Sequence, residues 1–289
     1  MPLARFRGGA PLRWRFMSTY LSAIVASHRA AAAGDHRDLP RLIEEAQRSP
    51  APVPFAKALR RSPGHGMGDE EGHGLRVIAE VKRRSPSKGD LAPDLDPATL
   101  AADYRRGGAS CLSVLTDVEY FGGSPDDLAA ATRASGLPVL RKDFTVAAAD
   151  VCDARLMGAG AVLLIVAALD QHELTEFAAL SASLGLDALV EVHDEAELDR
   201  ALVVGARLIG VNQRDLVTFE VDTRRAERLA ALIPDDVVAV AESGVADAHD
   251  AARLADAGYD AVLVGETLVR SRDRAATLRS LIGYPVGAR

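Results

Sequence analysis

From Val77 to the C-terminus the chain repeats one pattern eight times. A short β-branched or Leu-rich run gives way to turn residues and then to a longer Ala/Leu/charge stretch with helical spacing. The apolar runs fall near 76–82, 111–115, 138–142, 161–167, 187–192, 207–211, 236–241 and 260–264, and each is too short to be a buried helix. Helical patterns lie between them near 97–107, 125–134, 146–157, 170–183, 194–203, 223–232 and 246–257, with a last one near 273–282. Asp96-Pro97 and Asp170 read as helix starts, and Gly107-Gly108, Gly158, Gly185, Gly205 and Gly258 as stops. Strands that alternate with helices form a parallel sheet through right-handed crossovers. Eight such units close into an α/β (β/α)8 TIM barrel. The competing doubly wound open sheet often carries a glycine fingerprint after its first strand, and Ser85-Pro86-Ser87-Lys88-Gly89 is not one.

The residues before the barrel read as an N-terminal helical extension. Helices are expected near 18–33, 38–48 and 55–60, with a Pro-rich link at 49–55 and a floppy Gly/acid loop from Ser62 to Gly74. These segments hold too few apolar residues for a core of their own. The expected organisation is therefore one barrel domain over 17–289, including the helices of 17–60, and a disordered tail over 1–16. That tail carries Arg5, Arg7, Arg13 and Arg15 and no acid, lacks the apolar core of a secretion signal, and leaves Met1 and Met17 as alternative starts.

Composition excludes several classes. A net charge of −7 gives no basic footprint for nucleic acid, and no apolar run reaches the roughly 18–20 residues of a membrane span. Hydrophobic residues are 48% and aromatics 4%, the Ala/Val/Leu-rich balance of buried parallel strands and their covering helices. Cys111 and Cys152 are isolated, which argues against a disulfide framework and for a reduced, cytoplasmic setting. The seven His show no metal-ligand spacing, so no metal is expected.

Function in such a barrel sits at the C-terminal ends of the strands, and those ends carry charge. Strand one ends on Glu80 and Lys82, two apart and therefore on one face. Strand three ends on Lys142, strand five on Glu191, strand six on Asn212 with Arg214 beyond, and strand seven on Glu242 with Ser243. Three cations and three carboxylates at equivalent positions suit a site that separates acid and base roles by mutual pKa perturbation. Glu242-Ser243-Gly244 and Val264-Gly265-Glu266 place glycine at the ends of strands seven and eight, the usual phosphate position. Ser85 offers a hydroxyl from the first loop. Glu266 is awkward beside a phosphate, and only its backbone N–H is expected to contribute.

The ordered segments Ile78-Ala79-Glu80-Val81-Lys82-Arg83-Arg84-Ser85-Pro86-Ser87, Leu115-Thr116-Asp117 with Tyr120-Phe121-Gly122-Gly123-Ser124, Leu140-Arg141-Lys142-Asp143-Phe144, Leu189-Val190-Glu191-Val192-His193, Ile209-Gly210-Val211-Asn212 with Arg214-Asp215-Leu216, Ala241-Glu242-Ser243-Gly244 and Val264-Gly265-Glu266 together resemble the indole-3-glycerol phosphate synthase family of tryptophan biosynthesis. The resemblance implies a decarboxylating ring closure of 1-(2-carboxyphenylamino)-1-deoxyribulose 5-phosphate, with loss of carbon dioxide and water and without cofactor or metal. Carried onto this chain, it makes Lys142 the acid at the ketone oxygen and Glu191 an acid or base in the dehydration. Lys82 would hold the carboxylate and share in the second step, the division of roles between Lys82 and Glu191 staying open. Glu80 and Asn212 would position the substrate, Glu242 would orient the lysines, and Arg214 would steady the carboxylate side. Ser243 would lie near the substrate hydroxyls. Phe121 and Phe144 would wall the aromatic ring, and Ser85, Gly244, Gly265 and the Glu266 backbone would bind phosphate. The expected partner is a phosphorylated small molecule, with no nucleic acid and no membrane, and nothing in the sequence speaks to a partner enzyme. The tail and the 62–74 loop depart from the family pattern. Three rival readings remain at this level. One is a Schiff-base lyase or aldolase with Lys142 as nucleophile, another is a phosphosugar isomerase, and the third is a barrel that only binds.

Overall fold

The computed structural model describes residues 19–61 and 74–283, and within them the alternation closes on itself. Strands Arg76–Val81, Cys111–Leu115, Val139–Lys142, Ala161–Ile165, Asp187–Val192, Leu208–Asn212, Val238–Glu242 and Ala261–Val264 follow one another around a closed parallel barrel. The first strand pairs with the second (Ile78 opposite Cys111) and also with the eighth (Val77 opposite Val262). Side chains fill the inside and helices cover the outside, so the strands are apolar almost without interruption.

Local chemistry fixes where the helices begin. Asp96, Ser124, Asp170, Asp194, Asp222, Asp247 and Asp273 each accept a hydrogen bond from a backbone N–H of the first helical turn. Such a cap contributes about 1 kcal/mol. The helix expected from 146 begins instead at Ala148. The Asp150 carboxylate accepts from the N–H groups of Val146 and Ala147, both at 2.9 Å, and ties these residues down outside the helix. The fourth strand ends at Ile165 rather than 167, because Val166–Ala168 turns into a 3-10 helix whose Val166 carbonyl accepts from Arg200 at 3.1 Å. Two small elements have no counterpart in the sequence pattern. One is a hairpin pairing Arg84–Ser85 with Gly89–Asp90, and the other is a short helix, Glu266–Val269, after the eighth strand. The tail at 1–16 and the 62–73 part of the Gly/acid loop lie outside the described residues.

The N-terminal helices Thr19–Ala33, Leu39–Arg48 and Phe55–Leu59 match the expected extension closely. The last of them plugs the bottom of the barrel. Phe55 and Leu59 are fully buried in one cluster with Ile78, Leu140, Leu163 and Leu189 from the barrel interior. Asp187, at the start of the fifth strand, accepts from the N–H groups of Phe55 and Ala56 at 2.9 and 2.8 Å and so caps that helix from across the fold. With the bottom filled, the barrel opens at its upper rim.

Candidate active site

A cavity of about 520 Å³ lies at the C-terminal ends of the strands. All fourteen residues singled out from the sequence line it: Glu80, Lys82, Ser85, Phe121, Lys142, Phe144, Glu191, Asn212, Arg214, Glu242, Ser243, Gly244, Gly265 and Glu266. Strand alternation directs Glu80 and Lys82 to the same side, where they pair with each other.

Lys142 is the hub. Its Nζ lies 3.0 Å from Glu191 Oε2 and 3.5 Å from Glu242 Oε2. Glu191 Oε1 accepts from Asn212 Nδ2 at 3.1 Å. Asn212 Oδ1 in turn accepts from Ser243 Oγ at 2.9 Å and from the Arg214 N–H at 3.0 Å. One hydrogen-bonded chain therefore links strands three, five, six and seven. Glu242 Oε1, by contrast, is buried without a hydrogen-bond partner. Gly210 explains how that carboxylate fits, because a Cβ at this position would overlap Glu242 Oε1.

These differences sort the carboxylates. Burial raises the proton affinity of both. At Glu191 the Lys142 ammonium, His193 and the Asn212 amide outweigh it and hold the group below the usual glutamate range. At Glu242 burial wins over Lys142, and repulsion from Glu191 and Glu80 adds to it, so the carboxyl is pushed up to about 7. For Lys142 the balance that the sequence could not give is now set. Burial lowers its basicity, but Glu191, Glu242 and Glu80 overcome burial and hold the ammonium above the ordinary lysine range.

The Glu242 shift carries a stability consequence. An ordinary glutamate loses its proton near pH 4.5, and the folded Glu242 keeps it to about 7. The native state thus binds more protons across that window, and stability falls as pH rises through it, by on the order of 3 kcal/mol. Glu242→Gln keeps the neutral shape at every pH. In urea titrations it is expected to gain on the wild type progressively from pH 5 to pH 8, and a gap that stays constant over that range would contradict the assignment.

The rest of the cavity divides by chemistry. Phe121 and Phe144 face each other with ring centroids 6.5 Å apart, and His28 of the N-terminal extension packs on Phe144 at 5.3 Å. Ser85, Gly244 and Gly265 also line the cavity, together with Thr267 and Arg270. Ser243, at φ 65°, and Gly244, at φ 76°, both adopt left-handed backbone, which for Ser243 is a strained state held by its surroundings. The Glu266 carboxylate lies 3.4 Å from Arg270, which moderates the charge that made it awkward beside an anion. Arg214 donates from Nη1 to the Phe219 carbonyl at 3.0 Å while lining the cavity.

Some neighbours carry little signal in the sequence. Arg270 is one ordinary Arg, a helical turn after Glu266. His193 follows the fifth strand, and only its position two residues after Glu191 points to it. His28, Asp117 and Asp143 are scattered along the chain yet bring a nitrogen and carboxylate oxygens within 4.8 Å of one another. Their atoms are already engaged: His28 Nε2 with Asp117 at 3.0 Å, Asp117 Oδ1 with the Phe121 N–H at 3.1 Å, and Asp143 with Arg141 at 3.0 Å and with the Phe144 N–H at 2.9 Å. This trio latches the N-terminal helix onto the rim and fixes the aromatic wall.

Comparison with known proteins now places the chain. The family model for indole-3-glycerol phosphate synthase matches residues 21–281. The chain belongs to the indole-3-glycerol phosphate synthase family. Proteins of that name from Micrococcus luteus and Mycolicibacterium vanbaalenii are 51% and 47% identical to it, over 86% and 92% of this chain and 92% and 94% of theirs. Among solved structures, the N-acetylmannosamine-6-phosphate 2-epimerase of Clostridium perfringens superposes with a TM-score of 0.55 at 12% identity, over 72% of this chain and 94% of that one. Thiamine phosphate pyrophosphorylase from Pyrococcus furiosus gives 0.54 at 15%, over 72% and 93%. These two likenesses concern the barrel fold alone. Among the described residues, no helix of this family member is long and apolar enough to cross a membrane.

Proposed function

We propose that the enzyme closes the indole ring of 1-(2-carboxyphenylamino)-1-deoxyribulose 5-phosphate, releasing carbon dioxide and water. The observation that carries the residue assignment is the placement of Lys142, a half-buried ammonium held by two carboxylates in a cavity lined both by aromatic rings and by the glycines and hydroxyls of an anion-accepting rim. Such a cavity suits a substrate with an aromatic ring at one end and a phosphate at the other, folded so that a ring carbon meets the ketone.

In this reading Ser85, Gly244, Gly265 and the backbone of Glu266 receive the phosphate, aided by Arg270. Phe121 and Phe144 hold the ring. Lys82, oriented by Glu80, and Arg214 hold the substrate carboxylate. Lys142 donates its proton to the ketone oxygen as the ring carbon attacks. Carbon dioxide then leaves, and its bonding electrons return to the ring system. Glu191 serves the departure of the hydroxyl as water, with Asn212 fixing its orientation and Ser243 near the substrate hydroxyls. In the same step the methylene carbon beside the ring nitrogen gives its proton to the neutral Lys142 amine and so restores the ammonium. Glu242 keeps Lys142 aimed. The three steps balance without oxidant or reductant. A cytoplasmic setting belongs to the same proposal, supported by the two free, buried cysteines.

An imine-forming lysine must attack as the free amine, and the carboxylates around Lys142 oppose that. The deciding experiment incubates purified protein with the carboxyphenylamino substrate and follows indole fluorescence. Indole formation without a borohydride-trappable adduct supports the proposal. An adduct on Lys142 without indole would replace it with the aldolase reading.

A further inference from the structure

We propose that His193 is a positioning residue that shares a proton with Glu191 from behind the cavity wall and supplies the proton consumed in each turnover. This deepens the reading above and rests on Glu191 acting in the dehydration. The ring is absent from the cavity lining, so it acts only through its neighbour.

The geometry assigns the two ring nitrogens different tasks. Glu197 Oε2 accepts from the His193 backbone N–H at 2.8 Å and from Nδ1 at 2.9 Å, which fixes a hydrogen on Nδ1. Nε2 then faces Glu191 Oε1 at 3.5 Å, and it is buried with no hydrogen-bond partner of its own. A neutral ring would aim a lone pair at a carboxylate oxygen, which is repulsive. A proton between Nε2 and Oε1 turns the contact into attraction, whichever atom holds it. The charged groups facing the ring are Glu191 from the strand, Glu197 from the following helix and Arg225 from helix Thr223–Ala230. Arg225 is itself directed elsewhere, donating to the Asn212 carbonyl at 3.0 Å. Burial opposes the imidazolium and so does Arg225, but the two glutamates outweigh them and raise its proton affinity above that of an ordinary histidine.

The chemistry needs such a store. Carbon dioxide departs from an ionised carboxylate and water departs as a neutral molecule, so each turnover takes up one proton. When Lys142 gives its proton to the ketone oxygen, Glu191 loses its nearest cation and its proton affinity rises. The proton on Nε2 can then pass to Oε1, leaving a neutral imidazole, and pass on from Glu191 to the hydroxyl that leaves as water. The methylene proton lost as the double bond forms returns to Lys142, so the net uptake is the one proton that passes through His193. The ring regains a proton from solvent between turnovers, and its partner Glu197 keeps 18% side-chain exposure.

The test compares kcat–pH profiles of His193→Asn, His193→Gln, Glu197→Gln and Glu191→Gln with the wild type, using the full chain and indole fluorescence. His193→Asn is expected to lower kcat about 10- to 100-fold with KM within about twofold, and to remove the alkaline limb set by the imidazolium. Glu197→Gln takes away a group that raises the ring's proton affinity, so it should move that limb to lower pH even if the His193 variants fold poorly. A His193→Gln enzyme with full activity at all pH would reduce His193 to a packing or orienting role and overturn the proton supply. Wild-type behaviour in His193→Asn beside an inactive Glu191→Gln would overturn the inference alone. Unchanged kcat in Glu191→Gln would instead overturn the underlying reading of Glu191.

Discussion

Lys142→Ala is expected to lower kcat for indole formation by about a thousandfold or more, the range for loss of a positioned general acid. KM should change far less, because in the proposed pose Lys142 holds neither the phosphate nor the carboxylate of the substrate. The change also strips Glu191 and Glu242 of the ammonium at 3.0 and 3.5 Å. A buried charge left without its partner costs about 3–5 kcal/mol in general. Here Glu242 already holds its proton to about pH 7, so much of that cost is absorbed by protonation. The variant should therefore keep the circular dichroism of the barrel and unfold at a moderately lower urea concentration. Stopped-flow fluorescence with saturating substrate measures the first effect. Turnover near the wild-type rate in a folded Lys142→Ala protein would remove Lys142 from the acid role.

Gly265→Val is expected to lower kcat/KM by about a hundredfold, equivalent to about 3 kcal/mol of transition-state stabilisation. From the sequence, Gly265 is a phosphate-loop glycine, and its substitution should raise KM. In the fold it has a second task. A Cβ at this position would overlap Glu80 Oε2 and come within 3.1 Å of Lys82 Nζ. The valine thus crowds the loop that receives phosphate and also pushes on the Glu80–Lys82 pair at the end of strand one. Both KM and kcat should suffer, and steady-state kinetics separates the two. A KM effect alone would mean that the pair yields without cost. A wild-type KM would count against a phosphate site at this rim.

The charged residues chosen at strand ends were legible because a barrel of parallel strands converts chain position into spatial position, whereas Phe121 and Phe144 came from the family resemblance. A residue that closes an apolar run lies at the rim, whatever its distance in sequence, so Glu80, Lys142, Glu191 and Glu242 could be placed before any coordinates were known. Helix starts were legible for a local reason, since Asp or Ser before a helical run satisfies orphaned N–H groups. The exceptions have equally local causes. The start at Ala148 rather than 146 comes from Asp150 reaching back over two residues, and the early end of strand four comes from a turn whose carbonyl Arg200 holds. Neither departure alters the hydrophobic periodicity from which the boundaries were read.

The alternation of runs, the charges that end them and the glycines of the last two loops were enough to place the barrel, its rim and the charged residues at its strand ends. They could not say which glutamate keeps its charge. Glu191 and Glu242 occupy equivalent places in the pattern, but Asn212 and His193 reach only the first, and Gly210 leaves the second a tight, unpartnered berth. Likewise His28, 89 residues before Asp117, is an unremarkable helical residue until the extension folds over the rim. Periodicity is a property of neighbours along the chain. Proton affinity depends on atoms a few ångströms away in any direction, and only the closed barrel fixes which atoms those are.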